Sequence, residues 1–431
     1  MEAPPTPPAS DAQAPASSAR RPPRQAALSF IFITVVLDMI AMGVTAPVLP
    51  QLIQTLAGGG ASQAGWINGV FVTVWALMQF LCSPIQGGLS DRFGRRPVLL
   101  ISIAALGVNY ALMAVAPTLG WLLAARLLTG ATSANMSTAS AYIADVTEEH
   151  KRAGAYGMLG AAFGLGFILG PTLGGILGAI DPRAPFWLSA ALCLLNALYG
   201  YFVLPESLPK ERRAPFNWRR SNSIGSIRLL AADPQLLRLS LINLVMQFAG
   251  TVYPTVFALY ALNRYGWKPL NLGLSLAGFG LGSAIVQGAL TGRATARFGE
   301  RRVIIFGLAC AACGFTMLGL SAHPWLFIAA IPILTLSGVS NPATMALMTR
   351  FVAPSEQGQL QGANMSLQSL AGIAAPMVFG GAYSLFVGPW KALDLPGAPF
   401  LLSALMMIPA AIMAWTGVRD APPHTAPAPA P

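Results

Sequence analysis

Apolar residues are gathered here into long runs, most of them about 18 to 26 residues, the length a helix needs to cross roughly 30 Å of hydrocarbon. Twelve such runs lie near 27–50, 66–89, 98–116, 120–145, 154–180, 185–204, 235–261, 270–292, 302–320, 324–350, 358–385 and 398–417. A β-strand crosses in only about 9–11 residues, so runs of this length read as helices. Charged residues make up 10% of the chain, whereas a soluble domain carries about 25%. The expected fold is an all-α membrane protein with 12 transmembrane helices. One polar stretch between runs is long, residues 205–234, and it carries Lys210, Arg212, Arg213, Arg219, Arg220 and Arg228. It reads as a cytoplasmic linker between one six-helix bundle over 27–204 and another over 235–417. Residues 1–26 and 418–431, rich in Pro and Ala, read as disordered tails. The first run is too long for a signal-peptide core and has no cleavage site, so it stays as a helix.

The two halves repeat each other. Gly292, Arg297, Phe298, Gly299 and Arg301 follow Gly87, Arg92, Phe93, Gly94 and Arg96 at an offset of 205, with Ala296 in the place of Asp91. At the same offset Gly157, Pro171 and Gly175 map onto Gly362, Pro376 and Gly380. Residues 184–190 then match 398–404 after an insertion of nine residues around Lys391. Two pseudo-symmetric six-helix bundles are what such a duplication builds.

Of the 26 Lys and Arg, 20 lie in the tails and even-numbered turns, which places both termini in the cytoplasm. An alkaline phosphatase fused after Gly58 is therefore expected to be active and one fused after Arg212 inactive; the reverse pattern would invert the topology. The net charge of +11 does not point to nucleic acid, because the basic residues sit in short turns and form no continuous face. Cys82, Cys193, Cys310 and Cys313 all lie in apolar runs and read as small apolar fillers. His150, His323 and His424 fall in turns or the tail, so no metal site or catalytic triad is expected. No phosphate-binding Gly-x4-Gly-Lys-Ser/Thr loop occurs, which excludes ATP as the energy source.

A few polar residues stand out against this background. Asp38 is the acidic residue placed deep in a span, about 11 residues or ~17 Å into the first one, near the membrane midplane. A carboxylate there is expensive, and the opposition of desolvation to any nearby cation is the balance a proton carrier needs. Arg126, in span 4, lies about five residues, or ~8 Å, below Trp121 at the outer interface, a similar depth. Span 5 contains Gly157, Gly166, Gly170, Pro171, Gly174 and Gly175, whose small size suits a close helix contact that rocks. Leu in place of Gly170 is expected to wedge that seam, lowering turnover but not membrane expression. Gln79, Asn109, Asn135, Gln247, Gln287 and Asn341 are uncharged polar candidates for a substrate cavity, with Trp75 and Tyr253 as stacking surfaces for a flat ligand. Bonding between helices or core packing is the alternative for each of them.

Three of these patterns resemble known motifs. Gly87-x3-Asp91-Arg92-x-Gly94-Arg95-Arg96 resembles the loop between helices 2 and 3 of the major facilitator superfamily, which implies a gating role for those residues. The span 5 glycines with Pro171 resemble the antiporter motif of its exporters, and Arg126-x3-Gly130 resembles a motif of its proton-linked members. Leu37-Asp38-x4-Gly43-x3-Pro47-Val48-Leu49-Pro50, Ser90 to Pro97 and Gln287 are similar to the tetracycline/proton antiporters, a resemblance that runs from Leu28 to Trp415. It departs at Asn109 and Ala311, where that family carries acids, and at Ser283, where it carries histidine. The resemblance implies the major facilitator fold and proton-coupled export of a drug-like or amphiphilic molecule across a bacterial inner membrane. Asp38 and Arg126 would couple the proton, the gradient would replace any cofactor, and the protein would act as a monomer. Export of an endogenous metabolite such as a siderophore, or proton-coupled import, stays open at this point. A membrane enzyme or sensor lacks its catalytic constellation and output domain.

Overall fold

The computed structural model describes residues 24–132, 135–147, 152–213, 230, 233–352 and 357–418. The expected tails and most of the expected linker lie outside these residues. Eleven helices among the described residues are long and apolar enough to cross a membrane. The remaining expected span, the fourth, is covered by Leu119–Thr132 and Asn135–Val146, on either side of the undescribed pair 133–134.

Span 1 is two helices, Arg24–Thr45 and Leu49–Leu56, and span 7 is likewise two, Pro234–Gly250 and Val252–Tyr265. The breaks fall at positions related by the offset of 205, so the repeat extends to the irregularities of the backbone. Pro47 accounts for the first break, since it lacks an amide hydrogen and restricts the residue before it. Span 2 (Ala61–Phe93) and span 3 (Arg95–Ala114) meet at Gly94, and span 8 (Pro269 to Phe298, through a π turn at Val286–Leu290) and span 9 (Glu300–Gly319) meet at Gly299. Both glycines have positive φ, +108° and +79°, which lets consecutive spans join with a single residue between helices. They mark what we call the loop face.

Each half has its own apolar core, one running from Ile31 to Leu204 and the other mainly from Leu230 to Val418. Large apolar side chains also point outward, Phe202, Ile101 and Leu195 among them, as suits a surface dissolved in lipid rather than water. The halves meet along two helix pairs, span 2 against span 11 (Gln357–Val387), and span 5 (Arg152–Ile180) against span 8. Ser62 donates to the Ser384 carbonyl at 2.8 Å, Asn68 to Thr255 at 2.6 Å and Thr73 to Ile373 at 2.8 Å. Gly65 and Gly69 sit against Gly380 and Pro376, and Gly175 against Pro269 and Gly273. These contacts lie in the part of each helix away from the loop face, whereas nothing approaches Gly87, Gly288 or Gly292 within 4 Å of where a side chain would begin. Among the described residues these hydrogen bonds and close glycine contacts between the halves lie toward the far face.

Candidate functional site

Asp38 lies in the Arg24–Thr45 helix and is 6% exposed; among the described residues it is the one buried acid. Tyr110 of span 3 is buried beside it, bonds Thr45, and is within electrostatic reach of both Asp38 and Arg126. Tyr110, which no sequence pattern marked, thus stands within reach of both charges that the sequence singles out. Arg126 stacks over the Trp75 ring with its guanidinium carbon 5.5 Å from the centroid. Gly130, one turn along, makes this possible. A side chain there would meet the Trp75 carbonyl oxygen at 2.6 Å, so glycine lets span 2 come close enough to cover the arginine.

The second half carries the same scaffold without the charges. At the offset of 205, Asn243 stands for Asp38, Phe315 for Tyr110 and Ile331 for Arg126. Asn243 is buried and donates to Asn364 at 3.2 Å, joining span 7 to span 11. Among the described residues the second half thus has neutral side chains at the positions where the first half has Asp38, Tyr110 and Arg126, although the two halves share a fold.

The expected substrate residues divide by exposure. Trp75, Gln79, Gln247 and Asn341 are half-buried and Gln287 is exposed, at the π turn of span 8, so both halves offer polar groups. Asn109 is different: it is buried, and its amide donates to the Ala125 carbonyl at 2.8 Å and to the Thr129 hydroxyl, tying span 3 to span 4. Tyr253 is also buried, stacked between Phe257 and Phe279 with centroids 4.8 and 4.9 Å away, so its ring faces are already occupied. Asn135 and Gly157 lie in helices but outside the residues whose surroundings are described.

The span 5 glycines divide between two faces of the helix. Gly166, Gly170 and Gly174, each one turn from the next, pack on span 1 inside the first half, against Met39, Gly43 and Val44. Pro171 and Gly175 face span 8 of the second half, against Pro269 and Gly273, while Gly178 lies between Val48 of the first half and Pro269. A side chain at Gly170 would meet the Gly43 Cα at 2.6 Å, so Leu there is predicted to damage the bundle itself and lower membrane yield.

At the loop face Arg95 is the hub. It reaches Asp91 at 2.5 Å, Asp145 at 3.2 Å and the Ser90 hydroxyl at 2.6 Å, while its amide donates to Glu206 at 2.9 Å. Asp91 thus meets a basic residue one turn on in the chain. Gly94 is required by its positive φ, and the mobile ends of the Glu206 and Arg213 side chains fill the space beside it. Arg96 donates to the Tyr201 carbonyl, and Arg92 lies 5.1 Å over the Phe93 ring. The second half mirrors this pattern: Arg301 donates to the Trp415 carbonyl and Arg297 lies 5.7 Å over Phe298. One element is inverted. Arg95–Asp145 becomes Glu300–Arg350, the same two positions with their charges exchanged. Applying the offset to Asp145 would have shown this in the sequence.

The family model described as "Major Facilitator Superfamily" matches residues 31–289 and 239–431. The chain is 39% identical over 380 residues to the class C tetracycline resistance protein of Escherichia coli, covering 88% of this chain and 95% of that one. It is 37% identical to the class G tetracycline resistance protein of Vibrio anguillarum, covering 82% and 90%. Its fold matches a solved bacterial homolog of the human lysosomal transporter Spinster, inward-facing and occupied, with a TM-score of 0.71 at 17% identity over 92% of this chain and 97% of that one. The far-face contacts, the repeated halves and these matches lead to one statement: the chain belongs to the Major Facilitator Superfamily and, within it, to the family of the tetracycline resistance proteins.

Proposed function

We propose that this transporter is a proton-coupled antiporter that exports a drug-like or amphiphilic molecule, of the tetracycline type, across a bacterial inner membrane. The loop face is cytoplasmic in this reading, so cargo loads from the side opposite the contacts between the halves. The observation that carries it is buried Asp38, with Tyr110 within reach of it and of Arg126, in the membrane interior of one half and with neutral residues at all three positions in the other. Relatives named for tetracycline resistance, matched over most of their length, support the choice of cargo class. Asp38 takes a proton from outside and releases it inside, and Arg126, held by Trp75, makes its charged form tolerable between those events. Half-buried Trp75, Gln79, Gln247 and Asn341, with Gln287, give the cavity a polar lining that orients a planar ligand. The protein works as a monomer and needs no cofactor beyond the gradient.

One buried carboxylate implies at most one proton per cycle. Exchange for a monocation then moves no net charge and follows the pH gradient alone. A dication would move one charge outward, costing about 2.3 kcal/mol per 100 mV against an inside-negative potential. The test is transport of tetracycline and of ethidium in proteoliposomes, with pH gradient and valinomycin-set voltage imposed separately. Voltage-insensitive, pH-driven movement of a monocation into everted vesicles is expected. Efficient pH-driven export of a dication against voltage would require a second proton site, and cargo movement unaffected by the pH gradient would end the antiport reading.

A further inference from the structure

A small pocket of ≈ 10 Å³ lies beside Asp38, lined by Thr34, Val35, Asp38, Met39, Leu99, Ile103 and Ala139, all of them buried. It is bounded by spans 1, 3 and 4 and lies on the loop side of the Asp38 carboxyl. Leu99 is only four residues, ~6 Å by helix rise, from Arg95 at the loop face. Thr34 is one turn nearer that face than Asp38 and is 1% exposed. Its hydroxyl, like that of buried Thr344, departs from the usual pattern of helical threonines in this chain. Thr129, Thr172, Thr255 and Thr295 each donate to the carbonyl four residues back. The Thr34 hydroxyl, wholly buried, has no hydrogen-bond partner in the protein. Its backbone carbonyl, by contrast, is taken by the Asn196 amide at 2.8 Å, which fixes that turn of the helix. At the offset of 205 the second half has Leu239, fully buried, in place of Thr34, beside the neutral Asn243.

From these features we infer that Thr34 and Asp38 hold one water molecule in this pocket, and that this water is the port through which the Asp38 proton leaves toward the cytoplasm. The inference rests on Asp38 as the proton carrier and adds the route. A space of about 10–15 Å³ with two to four polar partners is what a buried water needs, and the hydroxyl and the carboxyl supply two. The protonated carboxyl gives its proton to the water oxygen and is left as carboxylate. The water passes a proton on to solvent on the loop side and returns to neutrality, with the Thr34 oxygen accepting a hydrogen bond from it throughout. Thr34 is thus a positioning residue. The other titratable groups facing Asp38 are Tyr110 and Cys193, with Arg126 acting through Tyr110. Residues 161–180 of span 5 contribute none, and Tyr142 and Asp145 lie at the loop end of span 4. None of these lines the pocket, so the water has Thr34 as its neighbour on the outward path.

The test uses reconstituted full-length protein without cargo and follows the protonated-carboxyl infrared band that Asp38→Asn removes. After a step from acidic to neutral pH, Thr34→Val should lose that band about tenfold or more slowly than the parent, with its equilibrium midpoint little changed. Thr34→Ser, which keeps the hydroxyl, should restore the rate, and Ala139→Leu, which fills the pocket without touching either polar group, should slow it. Release at the parent rate in Thr34→Val overturns the port and leaves Asp38 as carrier. Equal slowing in Thr34→Ser and Thr34→Val also overturns it, since packing and not the hydroxyl would then matter. A parent band that ignores pH removes Asp38 as carrier, and the port with it.

Discussion

Asp38→Asn is expected to reach the membrane at parent levels and to accumulate nothing. The amide has nearly the size of the carboxyl and can bond the same neighbours, and it spares the protein the several kcal/mol of desolvation that a buried carboxylate carries. Thermal stability should therefore be unchanged or slightly raised. Transport should collapse by its thermodynamics rather than by its contacts. One proton crossing a gradient of one pH unit supplies about 1.4 kcal/mol, enough for about a tenfold cargo gradient. With no group to carry the proton, that ratio falls to unity while downhill movement of cargo persists. The measurement is the steady-state cargo ratio in proteoliposomes at a fixed pH gradient, alongside a melting curve. A ratio well above one in the variant would take Asp38 out of the mechanism.

The second large effect belongs to the seam between the halves. In Gly175→Leu the new side chain starts 2.7 Å from the Pro269 carbonyl oxygen and 3.1 Å from the Leu270 Cα. Both are backbone atoms of the opposing half, which cannot turn aside as a side chain would. The first half keeps its packing, because Gly166, Gly170 and Gly174 on the other face are untouched. Overpacking of this kind costs about 1–3 kcal/mol. Here that penalty falls on the conformation in which the halves touch toward the far face, so the balance should shift about 5- to 150-fold away from it. In a background without the four native cysteines, Ser62→Cys should react faster with a membrane-impermeant reagent when Gly175→Leu is added. Transport should fall at nearly normal yield, whereas Gly170→Leu should lose yield first. Identical accessibility and transport in Gly175→Leu would show that the seam tolerates separation.

Much of this architecture is legible in the sequence because a membrane protein obeys two hard constraints, span length and the exclusion of charge. They locate the runs, make Asp38 conspicuous and leave the duplication visible in glycines and arginines that occupy turns. Other features depend on which way a side chain points around a helix. The span 5 glycines look like one motif on paper, yet Gly174 touches span 1 and Gly175, its neighbour, touches the other half. Asn109 and Gln79 are both polar residues inside runs, but one is spent on the bond between spans 3 and 4 while the other keeps some exposure. Tyr110 and Thr34 carry no charge and match no motif, so only their neighbours reveal them.

The inverted clasps at the loop face also bear on how such a chain assembles. Two halves of the same shape, made one after the other, invite a mistake in which an element of one docks into the other. Had both clasps kept the same polarity, Arg95 could have closed on the residue facing position 300 as readily as on Asp145. With Glu300 and Arg350 in place, every exchanged pairing brings like charges together: Arg95 meets Arg350, and Glu300 meets Asp145. Each half then recognises its own pieces and rejects its twin's, so the sign reversal acts as a sorting code for a duplicated protein.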